Sequence, residues 1–133
     1  MRIYLSVPII ANRNLARTQV MARAIADSGH EVSSPWVLGE TGGRTSVNVF
    51  NRDREGVENS DAIVADVSLP STGVGIEVMA AHNLGRRVIV VAKKGSVVSK
   101  MLGHMEPKEA VEFEEDADLY DKLRLVLEAE SRV

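Results

Sequence analysis

The stretch that decides the fold runs from residue 61 to residue 92 and is DAIVADVSLPSTGVGIEVMAAHNLGRRVIVVA. It contains two apolar runs, 61–67 and 87–92, that are hydrophobic on both faces of an extended chain. The segment between them, 74–84, has helical spacing and ends at Gly85. A strand, a helix and a second two-faced strand predict a βαβ unit in a parallel sheet that helices cover on both sides.

The rest of the chain repeats this alternation of strands and helices. Residues 3–7 predict a first strand, which Pro8 ends, and 14–28 predict a helix, which Gly29 stops. The other predicted features are a helix cap at Asn12 or Asn14, a strand at 30–34, a loop at 35–46, a helix at 47–60, a turn at 68–73, a short helix or turn at 96–102, a weak strand at 111–113 and a closing helix at 116–130. We expect one α/β domain over residues 1–133, an open parallel five-stranded sheet with helices on both faces, of the Rossmann or flavodoxin type.

Composition excludes several classes of protein. A chain of 133 residues suits one domain, and 44% hydrophobic with 26% charged residues argues against disorder. A net charge of −3 and 4% aromatic residues give no basic or stacking surface for a nucleic-acid polymer, and no basic surface for an anionic membrane. The chain has no cysteine, which excludes disulfides, thiolate zinc sites, iron–sulfur clusters and a cysteine nucleophile, and its three histidines lack metal spacing. Residues 1–11 lack a signal-peptide pattern, which favours a cytoplasmic protein.

Three segments follow predicted strand ends and are expected to meet at one edge of the sheet. They are 8–13, 68–77 and 93–101. Open parallel sheets bind ligands in the crevice outside the carboxyl ends of their strands, at the point where the strand order reverses. Connectivity alone therefore predicts that the functional site lies among these segments.

The segment 70–77, PSTGVGIE, is the richest of the three. Gly73 and Gly75 let a ligand approach the backbone at a helix start, where free N–H groups favour an anion. Val78 occupies the third glycine position of the dinucleotide fingerprint, so that motif is absent.

Glu77 has two interpretations. Near a helix N-terminus at the crevice, its carboxylate would stay ionised and could serve as a nucleophile. Alternatively, Ser71 or Thr72 caps the helix, and Glu77 is a solvated residue of the first turn. The pattern alone does not separate the two.

Asp53 is the second carboxylate of interest. It shares a helical face with Phe50 and Val57, and that face is expected to pack inward. Apolar surroundings would raise the pKa of the Asp53 carboxyl and suit it to general acid catalysis. The alternative is a rotated helix, with Asp53 solvated beside Arg52 and Arg54.

Other polar residues near the predicted crevice have weaker signals. Asp66 ends a strand and is either catalytic or a structural cap. Tyr4 lies inside the first strand, where a buried hydroxyl needs a partner. Three lysines also lie nearby: Lys93, Lys94 and Lys100. We interpret them as solvated side chains rather than as phosphate ligands.

Together, several motifs resemble a known family. They are Ile3-Tyr4-Leu5, Asp53, Ala62-Ile-Val-Ala-Asp-Val67, Pro70-Ser71-x-Gly73-Val74-Gly75-x-Glu77, Leu84-Gly85 and Val98-Ser99-x-Met101. With the 24-residue gap between Asp53 and Glu77, the chain resembles the nucleoside 2-deoxyribosyltransferase superfamily over nearly its whole length. Within that superfamily it is most similar to the 2′-deoxynucleoside 5′-phosphate N-hydrolases.

The resemblance implies hydrolysis of a nucleotide's N-glycosidic bond, without a metal or organic cofactor. Glu77 would be the nucleophile, Asp53 would assist protonation of the departing base, and Tyr4 would position Glu77. Ser71 would contact the 5′-phosphate, and Ser99 would reach the phosphate in the neighbouring subunit's site of a homodimer. The residues expected to bind substrate are Val7, Pro8, Ile9, Ile10, Arg13, Trp36, Ser71, Gly73, Gly75, Ser99, Lys100 and Met101.

The first loop departs from the family pattern. The N-hydrolases carry a Gly-Ser-Ile-Arg type of turn, and this chain has Val7-Pro8-Ile9-Ile10 instead. Pro8 has no N–H to offer a phosphate. Arg13, Asn12 or Asn14 are the residues that could compensate. Trp36 either lines the base pocket or serves packing.

Three alternatives stay open. A deoxyribosyltransferase would pass the sugar to a second base instead of water. The phosphoribohydrolases that free cytokinin bases share part of the 70–77 run, but they have a double glycine and a longer chain. A nucleotide-binding module on the same fold would bind without turnover, because fold alone does not fix function.

Overall fold

A computed structural model describes residues 1–39 and 45–129 of the chain. The elements are β1 Arg2–Ser6, α1 Leu15–Asp27, β2 Glu31–Val32, a 3₁₀ helix at Pro35–Leu38, α2 Ser46–Glu58, β3 Ala62–Asp66, α3 Thr72–Asn83, β4 Arg87–Lys93, α4 Lys100–His104, β5 Glu109–Phe113 and α5 Asp116–Glu128. None of the helices in these two ranges is long and apolar enough to cross a membrane. Residues 40–44 of the predicted loop and residue 130 of the predicted closing helix lie outside the described residues.

The five strands form one parallel sheet in the order β2-β1-β3-β4-β5, which confirms the predicted fold class. This is the flavodoxin-like order. The chain runs from β1 outward to β2 and then returns to place β3 on the other side of β1. The order therefore reverses between β1 and β3, and the crevice expected for a ligand lies at their carboxyl ends.

The two faces of the sheet pack against different helices. Ile3 and Leu5 of β1 are fully buried in the core that includes α1 and α5. Tyr4, between them, is buried in the core formed with α2 and α3. Successive side chains of a strand point to opposite faces, so the even-numbered residues of β1 belong to the α2 and α3 side.

The predicted helix boundaries have the expected chemistry. Asn14 caps α1, since its side-chain oxygen accepts a hydrogen bond from the N–H of Arg17 at 3.0 Å. Gly29 and Gly85 follow α1 and α3 with φ of +84° and +72°, a conformation that glycine adopts without steric cost. The predicted stops at both glycines are confirmed.

The prediction of a strand over 30–34 was too long. Only Glu31 and Val32 pair with β1. Beyond them, the Ser34 hydroxyl donates to the carbonyl of Leu5 and accepts from the N–H of Leu5, both at 2.9 Å. A side chain thus satisfies the backbone groups that a longer β2 would have paired.

Two later elements also differ from prediction. The short helix expected at 96–102 is α4, Lys100–His104. The weak strand expected at 111–113 begins two residues earlier, since Glu109 already pairs with β4 at Ile89.

Candidate active site

The loops that follow β1 and β3 are tied together by a hydrogen bond. The side-chain amide of Asn12 donates to the carbonyl of Pro70 at 3.0 Å. Asn12 has a φ of +64°, in the left-handed region that asparagine tolerates better than most residues. The third expected segment joins them, because the N–H of Lys93 donates to the Ser68 hydroxyl at 2.9 Å.

Glu77 lies in the second turn of α3 and points back to β1. The Tyr4 hydroxyl donates to Oε2 of its carboxylate. The Ser6 hydroxyl donates to Oε1 at 2.7 Å. Each carboxylate oxygen thus has its own donor, and both donors come from the same face of one strand.

The electrostatics of Glu77 differ from the expectation. Burial raises the pKa of its carboxyl to about 7, against the hydrogen bonds from Tyr4 and Ser6, which lower it. Asp53 raises this pKa further, and Arg52 lowers it. Glu77 lies beyond the first turn, in which the helix dipole acts, so the hydrogen bonds from Tyr4 and Ser6, rather than the dipole, favour its ionised form. The alternative of a solvated first-turn residue was wrong, because Glu77 is partly buried.

Tyr4 is suited to donate to a carboxylate. Its side chain is 1% exposed, and burial raises the pKa of its hydroxyl well above the usual range. The negative charge of Glu77 raises the pKa of Tyr4 further. Tyr4 therefore keeps its proton at neutral pH and remains a hydrogen-bond donor.

Asp53 is neither embedded in apolar side chains nor free in solvent. Its Oδ1 pairs with Nε of Arg52 at 2.9 Å, and its side chain is 26% exposed. Phe50 is 61% exposed, so the expected apolar surroundings of Asp53 were wrong. The helix buries Val57 but not Phe50, because Phe50 lies two turns nearer the N-terminus, outside the layer that covers Val57. The Arg54 guanidinium pairs with Glu58 at 2.9 Å, whereas Asp53 pairs with Arg52.

Trp36 lies beside these groups. Its ring meets the Tyr4 ring edge-on, with centroids 6.1 Å apart. The Arg52 guanidinium lies over the Trp36 ring, 4.7 Å from the centroid. The indole also lines a cleft of about 430 Å³, whose other walls are Arg2, Ser33, Asn48, Asn51, Arg52, Glu55, Gly56 and Asn59. Arg52, which no sequence signal indicated, therefore links Trp36 to Asp53.

Gly56 explains how α2 comes this close. A Cβ at position 56 would lie 2.8 Å from Cε2 of Tyr4 and 3.0 Å from Cη2 of Trp36. Such distances force a shift of the rings. Any residue larger than glycine would therefore displace the Tyr4 ring, whose hydroxyl contacts Glu77.

We expect Gly56→Ala to lower both stability and activity. In an open helix position this substitution stabilises by about 0.5–1 kcal/mol, so a net loss would report the clash. Thermal unfolding and turnover measure the two effects. Gly75→Ala is the stability control, because nothing lies within 4 Å of its Cβ position, and it should raise the melting temperature. A Gly56→Ala variant as stable as Gly75→Ala would contradict the close packing.

The helix start at 70–77 has the predicted cap. The Ser71 hydroxyl accepts from the N–H of Val74 at 3.4 Å. Nothing lies within 4 Å of the Cβ positions of Gly73 and Gly75, so the backbone there is open to a ligand. A second cleft of about 430 Å³ borders this turn, lined by Ser68, Leu69, Pro70, Lys93, Lys94, Gly95, Ser96 and Val97.

The remaining predicted binding residues are more dispersed. Val7 and Pro8 are buried, Ile9 is half-buried and Ile10 is fully exposed. The Arg13 guanidinium donates to the carbonyls of Val37 at 3.2 Å and Gly39 at 2.7 Å, so it braces the 3₁₀ helix. The segment 99–101 is exposed at the start of α4, and its recorded hydrogen bonds stay within α4.

Asp66 fits its structural alternative. Its Oδ1 accepts from the N–H of Ser68 at 3.0 Å, and its Oδ2 pairs with Arg17 at 3.5 Å. Within 1–39 and 45–129, no group of three or more acidic or histidine side chains could hold a metal ion.

Ser6 is a further site residue that the sequence interpretation missed. A serine after Ile3-Tyr4-Leu5 has no local signal, because its contact with Glu77 spans 71 residues of chain. Its position two residues after Tyr4 on the same strand face was the available clue.

Comparison with known proteins identifies the family. The model of the nucleoside 2-deoxyribosyltransferase family matches residues 3–123. Over 109 residues the chain is 36% identical to a candidate 2′-deoxynucleoside 5′-phosphate N-hydrolase 1 of Methanococcoides burtonii, covering 77% of this chain and 88% of the relative. A protein of the same name from Thermofilum pendens is 34% identical over 97 residues, covering 69% of this chain and 68% of the relative.

Solved structures agree on the fold. A 2-deoxyribosyltransferase from Bacillus psychrosaccharolyticus superposes with a TM-score of 0.71 at 21% identity, over the whole of both chains. A CMP N-glycosidase from Clostridium botulinum gives 0.70 at 17% identity, covering 92% of this chain and 98% of the other. The matched span and the identity to curated relatives show that this chain belongs to the nucleoside 2-deoxyribosyltransferase family and is an enzyme of N-glycosidic bond chemistry.

Proposed function

We propose that the protein hydrolyses the N-glycosidic bond of 2′-deoxynucleoside 5′-monophosphates and releases the free base and 2-deoxyribose 5-phosphate. The observation that carries this proposal is the Glu77 carboxylate, which accepts hydrogen bonds from two hydroxyls of β1 and whose pKa the charge of Asp53 raises. The names of the two curated relatives support the same reaction.

The reaction proceeds in two steps with retention at the anomeric carbon. In the first, an oxygen of ionised Glu77 attacks C1′, the bond from C1′ to the base breaks, and Asp53 gives a proton to the departing base. In the second, water attacks C1′ of the glycosyl-enzyme, Asp53 takes the proton from that water, and the Glu77 carboxylate is released. In the free protein Oδ1 of Asp53 pairs with Nε of Arg52 at 2.9 Å. The proton that Asp53 gives to the base in the first step is replaced by the one that it takes from water in the second.

The phosphate is assigned to the start of α3. Ser71 and the open backbone at Gly73 offer hydrogen-bond donors to an anion. Lys93 and Lys94 line the neighbouring cleft, where Lys94 pairs with Glu114 at 3.2 Å, so the charge of Lys94 is offset and Lys93 supplies positive charge. The first loop opposes this assignment, because Pro8 lacks an N–H and exposed Ile10 is apolar.

We expect a 2′-deoxynucleoside 5′-monophosphate to be cleaved with a kcat/KM about tenfold or more above that of the matching nucleoside. Charge-assisted hydrogen bonds contribute about 1.5–3 kcal/mol each, and two of them suffice for this ratio. The measurement is base release from matched pairs at one pH and salt concentration, with and without an acceptor base. A nucleoside that equals its monophosphate, with exchange onto the acceptor base, would favour the transferase. Binding without base release would favour a non-catalytic module.

We further propose a homodimer in which Ser99 serves the neighbouring site. Large apolar side chains on α2, α3 and α4 are exposed in the single chain: Phe50 is 61%, Ile76 62% and Met101 74% exposed. Exposed apolar side chains of this kind support a surface that a second subunit covers. The cytoplasmic location expected from the sequence stays a prediction.

Mixing two impaired variants tests the shared site. A dimer of one Glu77→Ala and one Ser99→Ala protomer would contain one doubly altered site and one intact site. Activity should therefore rise on mixing, towards a quarter of the wild-type value, since about half of randomly mixed dimers are hybrids with one working site. Subunit exchange is verified by mass spectrometry. Exchange without recovery would contradict the shared site.

A further inference from the structure

The buried side chain of Ser6 contacts the candidate nucleophile. Its side chain is 1% exposed at the end of β1, and its hydroxyl donates to Oε1 of Glu77 at 2.7 Å. Within the described ranges this is the one hydrogen bond that the Ser6 side chain makes. Packing alone does not explain why this buried hydroxyl donates its hydrogen bond to the candidate nucleophile.

The contact complements that of Tyr4. Tyr4 donates to Oε2, Ser6 donates to Oε1, and the two donors are fixed two residues apart on one strand. A carboxylate with one donor on each oxygen has its plane fixed. Each oxygen still keeps a second lone pair free, which is what attack on a carbon needs.

The charges around Glu77 define what Ser6 has to offset. Burial and the negative charge of Asp53 disfavour the ionised carboxylate. From α2, Arg52 favours it, and from β1, Tyr4 favours it by hydrogen bonding. Ser6 is the other donor on β1, so its loss would leave Oε1 without a recorded partner among the described residues.

We propose that Ser6 is a positioning residue that orients the Glu77 carboxylate and keeps it ionised for attack. This inference rests on the proposed role of Glu77 as nucleophile. In the ester intermediate the same hydroxyl keeps Glu77 oriented for the second step, because it can still donate to an ester oxygen.

The test compares Ser6→Ala with Ser6→Cys and with Ser60→Ala. Ser6→Cys keeps the size but donates weakly. Ser60 is an equally buried serine whose hydroxyl donates at 2.6 Å to the carbonyl of Val57, so it reports a purely structural hydroxyl. The readouts are kcat, the acid limb of kcat/KM against pH, and ¹³C NMR titration of the Glu77 carboxyl without substrate.

We expect Ser6→Ala to move the acid limb and the NMR titration upward by about one pH unit, the size of a hydrogen bond to a charged group. We also expect kcat to fall about tenfold. Ser6→Cys should shift both in the same direction, and it serves if Ser6→Ala does not fold. Ser60→Ala should change stability alone. An unchanged titration in a folded Ser6 variant would overturn the proposal. A wild-type protein inactive on every substrate would instead overturn the proposed function, and the NMR titration would still decide the link between Ser6 and Glu77.

Discussion

Replacing Glu77 by alanine is expected to abolish turnover. Without the carboxylate no glycosyl-enzyme can form, and kcat should fall about a thousandfold or more, equivalent to about 4 kcal/mol of barrier. The measurement is release of free base from a deoxynucleoside monophosphate under saturating conditions. A variant that retains more than a tenth of the wild-type kcat would rule out Glu77 as the nucleophile.

The pH dependence of stability shows whether the Glu77→Ala variant loses activity because it lacks the nucleophile or because it unfolds. Burial raises the folded-state pKa of Glu77 from 4.5 to about 7, so the folded protein holds this proton more tightly than the unfolded chain does. Ionising Glu77 therefore costs the wild-type protein stability as pH rises from 4.5 to about 7. The alanine variant lacks this loss, and it should stay folded at the pH of the assay.

Replacing Asp53 by asparagine is expected to slow the enzyme according to the leaving group. An amide cannot deliver a proton, so the kcat of the variant should fall about a hundredfold or more on a substrate whose base leaves poorly. A substrate with a very good leaving group needs little protonation and should lose much less. The comparison uses two deoxynucleotides whose departing groups differ in basicity.

The two substrates also separate catalysis from support of the fold. Asparagine keeps the size of Asp53 but loses the charge that pairs with Arg52. If that pair mattered only for packing, both substrates would lose activity equally. Equal losses would therefore argue against a proton-transfer role for Asp53.

The fold was predictable because its signals are local. Strands β3 and β4 are buried on both faces, and the helix between them ends at Gly85, so the chain had little choice of topology. The short β2 was not predictable, since it depends on the Ser34 side chain reaching across to Leu5. The exposure of Phe50 was also missed, because periodicity gives a helix face but not how far the neighbouring layer extends along it.

The candidate site was predictable in its carboxylates but not in its electrostatics. Asp53 and Glu77 were chosen from motif and spacing, and in the structure the charge of Asp53 raises the pKa of Glu77. The raised pKa of Glu77 comes from burial by parts of the chain far from it in sequence. Ser6 contacts Glu77 across 71 residues of chain, and Arg52 lies over the Trp36 ring only once the chain has folded, so their roles were not assigned from the sequence.

The stereochemistry of the product tests the central claim most directly. In aqueous methanol, part of the glycosyl-enzyme would be trapped as a methyl 2-deoxyriboside 5-phosphate, whose anomer ¹H NMR identifies. Attack by Glu77 followed by attack of methanol inverts C1′ twice. The mechanism therefore predicts that a β-nucleotide substrate gives the β anomer of the methyl 2-deoxyriboside product. Formation of the α anomer would mean a single displacement and would contradict a covalent role for Glu77.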